Sequence, residues 1–177
     1  SNMTTELMVG HRGASAVYPE NTMLAFRKAI EEGCNCFECD VTISSDGIPF
    51  IMHDSTLSRT TNGTGYCHER TWAYVSGLDA GSWKSSQFAG EMVPSLEAVL
   101  NYFKGKANFI LIEIKTEAVY GTMDLPEKIA KQITDGSMEK QCLVFSFNSN
   151  YVDRVRAYNP KIITGYLSTS DTSIITT

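Results

Sequence analysis

The sequence predicts an α/β protein built on a largely parallel sheet with helices on its outer side. Two observations carry that prediction. Short apolar runs alternate with helical patterns along most of the 177 residues. Three of the runs also end in ionisable residues: Leu7-Met8-Val9-Gly10 in His11, Phe37 in Glu38 and Asp40, and Ile48-Pro49-Phe50-Ile51-Met52 in His53. Such a run reads as a buried strand whose end emerges at an active surface, and three together suggest strands that converge on one site. A third observation, from a later run, refines the picture. Between Phe109 and Ile114, Glu113 shares a face with Leu111 and with Lys115 beyond, while Ile110, Ile112 and Ile114 face the other way. The outward set is wholly apolar, as packing against helices requires, and the inward set turns polar only at its C-terminal end. That is the pattern of a barrel with its active site at the C-terminal rim. An open doubly wound sheet also gathers ligands at strand C-termini, so parity leaves both closures open.

Taken in order, Leu7 to His11 is the first strand. Gly13 lets the backbone turn sharply and Pro19 stiffens the approach to the next element. Asn21 is a helix N-cap, followed by Met23, Phe26 and Ile30 at helical spacing, with Gly33 as the stop. Phe37 to Val41 is the second strand, Asp46-Gly47 a tight turn, and Pro49 to His53 the third strand. The link between strands two and three is too short for a crossover helix, which argues for a hairpin and conflicts with an all-parallel sheet. From Ser55 to about Pro94, threonine, glycine, serine and aromatic residues replace any clear period; this is an ordered insertion or lid. Ser95 then caps a helix striped by Leu96, Val99, Leu100 and Phe103. Phe109 to Ile114 is the fourth strand, and Pro126 opens a helix burying Ile129, Ala130 and Ile133 that ends near Gly136. Cys142 to Phe147 is the fifth strand, Tyr151 to Tyr158 a helix stopped by Pro160, and Ile162 to Leu167 the sixth strand. Residues 3–177 read as one domain, with 55–94 inserted.

Composition narrows the function. At 42 % hydrophobic the chain can bury a single core. A net charge of −5 with scattered lysines and arginines argues against nucleic-acid binding. No apolar run is long enough to span a bilayer and no charged-then-apolar leader opens the chain, so a cytoplasmic location is the default expectation. Five cysteines are an odd number and exclude complete pairing within one chain. Cys34, Cys36 and Cys39 resemble a zinc cluster in spacing, but strand alternation sends Cys39 to the face opposite Cys36. Buried structural thiols are the better reading.

At the expected rim stand His11, Arg12, Glu38, Asp40, His53, Glu113 and Lys115. Three carboxylates brought together repel one another unless something positive lies between them. A hard divalent cation, Mg²⁺ or Ca²⁺, on Glu38, Asp40 and Glu113 resolves that repulsion. Arg12 and Lys115 suit the oxygens of a phosphate. His11 and His53 can then serve as general base and general acid on opposite sides of phosphorus. Blander readings stand beside this one. A lone strand-end histidine is usually a structural hydrogen bonder, and Glu38-x-Asp40 alone is common on solvated strands. Glu20 favours either the positive end of the first helix or an orienting contact with Arg12, with the second preferred. Asp54 and Arg59 read as turn residues and His68 as exposed.

Together the motifs His11-Arg12-Gly13, Pro19-Glu20-Asn21-Thr22, Glu38-x-Asp40, Asp46-Gly47, His53-Asp54, Arg59-Thr60-Thr61-Asn62-Gly63 and Glu113-x-Lys115 resemble the glycerophosphodiester phosphodiesterases, in order from His11 to about Leu167. The resemblance implies a TIM (β/α)8 barrel of the phospholipase C-like phosphodiesterase type. It implies metal-dependent hydrolysis of small-molecule glycerophosphodiesters to sn-glycerol 3-phosphate and an alcohol. Glu38, Asp40 and Glu113 would hold the metal, His11 and His53 would act as acid and base, Arg12 and Lys115 would bind substrate, and Glu20 and Asn21 would support them. Residues 55–94 would be the insertion beside the barrel mouth. Six strands are counted where such a barrel has eight, so the sequence reads as a barrel incomplete at its C-terminus. Alternatives are a lysophospholipase D-like or sphingomyelinase D-like enzyme, and, from another class, a non-catalytic binding protein made from an incomplete barrel.

Overall fold

The computed structural model describes residues 8–168 and the strand at 174–176. Leu7, the expected start of the first strand, lies outside the described residues. The strands are β1 (Val9–His11), β2 (Cys36–Ile43), β3 (Pro49–Ile51), β4 (Phe109–Ile114), β5 (Cys142–Ser146), β6 (Ile163–Leu167) and β7 (Ile174–Thr176). The helices are α1 (Met23–Glu31), α2 (Trp72–Ser76), α3 (Leu96–Phe103), α4 (Val119–Thr122), α5 (Leu125–Asp135) and α6 (Ser149–Tyr158). All six expected strands are therefore present. They form one sheet of order β1-β2-β4-β5-β6-β7, with β3 paired to β2 off this path. Strands β1, β2, β4, β5 and β6 run parallel, as strand–helix alternation requires, and β7 returns antiparallel on β6. Among the described residues the sheet is open: this is a barrel-type α/β fold that does not close.

The parity read from β4 is what packs the core. Ile110, Ile112 and Ile114 are wholly buried against Leu96, Val99 and Phe103 of α3 and Ile129 and Ile133 of α5. Phe26 of α1 stacks on Phe37 of β2 at 4.4 Å between ring centroids, and Phe103 meets Phe37 edge-on at 4.7 Å. Cys39 lies in this outer core with Phe37 and Val41, and all five cysteines are unpaired. Thr22, one residue after the expected Asn21, caps α1: its Oγ1 accepts the Ala25 amide at 3.2 Å. Asn21 instead adopts a left-handed backbone at φ 57° and sends its side chain elsewhere.

The third strand differs from an all-parallel expectation in a way that shapes the site. β4 occupies one edge of β2 from Cys36 to Val41. On the other edge β1 runs parallel and stops with His11 opposite Glu38. β3 then takes that same edge in the opposite direction, Ile43 facing Pro49 and Val41 facing Ile51. The Met52 amide donates to the Asp40 carbonyl at 2.9 Å, one residue before His53. The short link is thus a hairpin, its turn made by Gly47 at φ 85° and by Ser44 Oγ donating to Asp46 Oδ1 at 2.6 Å. Two strands approach each other end-on along β2 and halt on either side of Cys39 and Asp40.

Residues 55–94 are built mostly from turns around the short helix α2. They pack on a second apolar cluster in which Leu57, Cys67, Val75, Leu78 and Val93 join Phe50 and Met52. Asp79 organises the far end, accepting amides from Gly81, Ser82 and Gly90 and the hydroxyl of Ser82. Lys84 donates to the Ser15 carbonyl at 3.0 Å and so ties this segment to the loop after β1.

Candidate active site

Every site residue predicted from sequence except His53 falls into one contiguous set of contacts. Glu38, Asp40 and Glu113 each present an oxygen within 4.8 Å of the others. Inward-facing parity on β2 and its register with β4, in which Asp40 is opposite Glu113, bring them together. Glu38 and Asp40 are almost fully buried, at 8 % and 1 % exposure. Burial, followed by the charges of Asp40 and Glu113, pushes the Glu38 carboxyl up to about 8. Its Oε1 is buried with no hydrogen-bond partner among the described residues. An unmet acceptor inside a cluster of like charges is the electrostatic shape of a cation site, and oxygen-only ligands suit a hard ion.

Cationic and neutral donors surround the trio. Lys115 places Nζ 3.0 Å from Glu113 and 3.7 Å from Asp40. Asn21 donates Nδ2 to Asp40 Oδ2 at 3.0 Å, and Arg12 brings Nε to 3.6 Å from the same oxygen. Arg12 sits at φ 55° in the turn after β1 and donates Nη1 to Glu20 Oε2 at 3.2 Å. Glu20 lies before α1 begins, and its carboxylate grips Arg12. His11 Nε2 lies 3.0 Å from Glu38 Oε2, a contact that serves whichever partner carries the proton. Beside these groups opens a cavity of about 340 Å³, lined by the polar side chains of His11, Glu38 and Glu113 and by the apolar ones of Val9, Leu111, Phe145, Phe147 and Leu167.

The profile of the glycerophosphoryl diester phosphodiesterase family matches residues 11–174. The chain belongs to this family. It is 36 % identical over 161 residues to a glycerophosphodiester phosphodiesterase of Caldanaerobacter subterraneus subsp. tengcongensis, covering 91 % of this chain and 66 % of that protein. Among solved structures it superposes on a glycerophosphodiester phosphodiesterase from Agrobacterium tumefaciens with a TM-score of 0.82 and 34 % identity, covering 90 % of this chain and 66 % of the other. An Oleispira antarctica phosphodiesterase in complex with the product sn-glycerol-3-phosphate gives a TM-score of 0.80 at 31 % identity, over 92 % of this chain and 66 % of that one. The chain thus spans just under two-thirds of the length of these relatives.

In this member of the glycerophosphoryl diester phosphodiesterase family, His53 reaches the rest of the site through two residues that the sequence presents as turn formers. His53 Nδ1 is 2.8 Å from Asp54 Oδ1. Arg59 donates Nε and Nη2 to Asp54 at 2.8 and 3.0 Å, and Nη1 and Nη2 to Glu20 at 3.0 and 2.9 Å. The Arg59 hydrogen bonds pull the Asp54 carboxyl down to about 2. An ionised Asp54 can only accept, so Nδ1 is the His53 nitrogen that donates to it. At Glu20, burial works against the charged form, but the Arg59 hydrogen bonds and the charges of Arg12 and Arg59 outweigh it and lower the carboxyl. The signal in the sequence is the adjacency of Asp54 to a candidate catalytic histidine, a pairing that often fixes an imidazole tautomer. His68, expected to be exposed, is half-buried, with its ring facing those of Tyr66 and Tyr120 at 5.6 and 6.4 Å.

Proposed function

We propose that the chain is a divalent-metal-dependent phosphodiesterase that cleaves glycerophosphodiesters to sn-glycerol 3-phosphate and an alcohol, the product named for the Oleispira relative. The observation that carries the reading is the trio of buried Glu38 and Asp40 with half-buried Glu113, bordered by two cationic side chains and by His11. Those three carboxylates are the residues that would hold Mg²⁺ or Ca²⁺. A cation there supplies fixed positive charge against the phosphate oxygens as negative charge builds on them.

The chain's own groups do the rest. Arg12 and Lys115 bind and orient the phosphate, Arg12 being held in place by Glu20. His11 and His53 act as the acid–base pair: one takes the proton of the glycerol 2-hydroxyl, the other gives one to the departing alkoxide. The cyclic phosphate so formed is opened by water with the two roles exchanged. Asn21 keeps Asp40 oriented through its amide. Residues 55–94 are tied to the loop between β1 and α1 by Lys84, on Ser15, and by Arg59, on Glu20. The unpaired thiols fit a reducing compartment. Among the described residues no helix is long and apolar enough to cross a membrane.

A second reading draws on the apolar wall of the cavity. Leu111, Phe145, Phe147 and Leu167 would accept the acyl chain of a lysophospholipid, which stays on the glycerol phosphate side in a lysophospholipase D-like reaction. One assay separates the possibilities: release of glycerol 3-phosphate or of lysophosphatidate from a panel of glycerophosphodiesters and lysolipids, with and without chelator. Metal-dependent release of glycerol 3-phosphate is the expected result. No turnover on any diester would refute the proposal.

A further inference from the structure

Arg59 lies on the inserted segment, 39 residues from Glu20 and 5 from Asp54, yet it holds both. It uses its guanidinium side-on against Asp54, through Nε and Nη2, and end-on against Glu20, through Nη1 and Nη2. The ring of Trp83 lies 5.9 Å from its central carbon and limits movement out of that plane. Each carboxylate that Arg59 grips has a second task. Asp54 meets His53 Nδ1 at 2.8 Å, and Glu20 meets Arg12 Nη1 at 3.2 Å. The result is an unbroken chain, Arg12–Glu20–Arg59–Asp54–His53, joining the loop after β1 to the residues after β3.

An exposed ion pair ordinarily contributes little, and the Arg59 side chain is 45 % exposed. The partners are what set this one apart. Glu20 is only 10 % exposed, and the planar fork fixes two carboxylates at once, which a lysine ammonium cannot reproduce. Removing Arg59 leaves Glu20 shared with Arg12 alone and frees Asp54 to rotate away from the imidazole.

We propose that Arg59 is a positioning residue that sets the phosphate-binding Arg12 and the imidazole of His53 in one rigid frame, so that the two sides of the reacting phosphorus are aligned by a single guanidinium. This rests on the phosphodiesterase reading for its kinetic consequence, though not for its geometric one. Arg59 directs its hydrogen bonds to Glu20 and Asp54 rather than to Arg12 or His53 themselves. It acts through Glu20 and Asp54, the kind of outer contact whose loss costs about 10–100-fold in activity.

The test pairs kinetics with a probe that needs no turnover. In protein labelled with ¹⁵N-histidine, the Nδ1 proton of His53, assigned by its loss in His53→Ala, should exchange slowly with water. Arg59→Lys and Arg59→Ala should both lose that protection while His68 is unchanged and the thermal midpoint stays within a few degrees. In the activity assay both variants should lose about 10–100-fold in kcat/KM, with kcat lowered through His53 and KM raised through Arg12. Added methylguanidinium should restore part of the loss in Arg59→Ala and none in Arg59→Lys. Wild-type kinetics in Arg59→Lys, or a His53 proton still protected in either variant, would overturn the proposal. An inactive wild-type protein would refute the phosphodiesterase reading instead, and the histidine proton would still decide the role of Arg59.

Discussion

Replacing Gly13 by alanine should unfold the turn that presents Arg12, and the cost can be worked out from its surroundings. Gly13 has φ 80°, where an L side chain is disfavoured by about 1–2 kcal/mol. A Cβ there would also lie 2.6 Å from the Ala25 carbonyl carbon and 2.7 Å from the Ala25 Cβ and oxygen. Those atoms belong to α1 and are held by the Ala14 amide, which donates to Ala25 O at 2.9 Å, so they cannot simply swing aside. Overpacking of that kind costs about 1–3 kcal/mol more. The sum, about 2–5 kcal/mol, is a large share of ordinary domain stability. At about 2–4 °C per kcal/mol for a chain of this size, the melting midpoint should fall by about 4–20 °C. Gly90 is the internal control. It has φ 91° and nothing within 4 Å of where an added methyl would lie, so Gly90→Ala should carry the conformational cost alone. Melting curves followed by circular dichroism give both numbers. Equal shifts for the two variants would refute the steric argument.

The metal assignment makes two demands. Glu38→Gln should weaken cation binding severely, and full activity in excess chelator would reject the cation altogether. Because burial holds the Glu38 carboxyl up at about 8, a cation binding at pH 6.5 should also displace a proton. Calorimetry in two buffers of different ionisation heat should read about one proton released, and none would contradict the site. His11→Ala and His53→Ala should each lose about 10²–10⁴-fold in turnover, measured as product release at saturating substrate. Equal cleavage of a 2-deoxyglycerol diester would exclude the internal hydroxyl as nucleophile. Asp54 bears on acid stability. Its folded value of about 2 lies below the ordinary 3.8, so its contribution is present above about pH 4 and fades as pH falls through 2. Partial exposure reduces it to about 1 kcal/mol, so urea titrations should show Asp54→Asn weaker than wild type at pH 7 and indistinguishable from it near pH 2.

Period and parity explain why much of this architecture is legible in the sequence. The isoleucines of β4 alternate with Leu111 and Glu113, and that alternation alone assigns one face to the helices and the other to the site. The same two-residue period places Glu38 beside Asp40 and rejects Cys39 as a ligand. Asn21 shows where such reasoning stops. Asn and Thr are both good caps, and which one closes α1 depends on Asp40, nineteen residues away, drawing the Asn21 amide to itself. Arg59 is harder still, because no periodic signal links position 59 to position 20. The orientation of β3 is half-visible: the link is plainly hairpin-sized, and the expectation of strand–helix alternation stands against it.

Because β1 and β3 meet end-on along one edge of β2, the interval between His11 and His53 is counted in rungs of a hydrogen-bonded ladder. Each rung is worth about 3.3 Å, and a slip of one would turn the inward side chains outward. The turn at 44–48 therefore has no freedom to change its length. Adding a residue there either bulges the hairpin or carries His53 away from the other residues of the site. The long segment after Asp54 is under no such restraint, provided it still returns Arg59 to its two carboxylates. Single-residue insertions should accordingly abolish activity between Glu38 and Asp54 and be tolerated between Asn62 and Trp83, a division that an insertion scan would reveal directly.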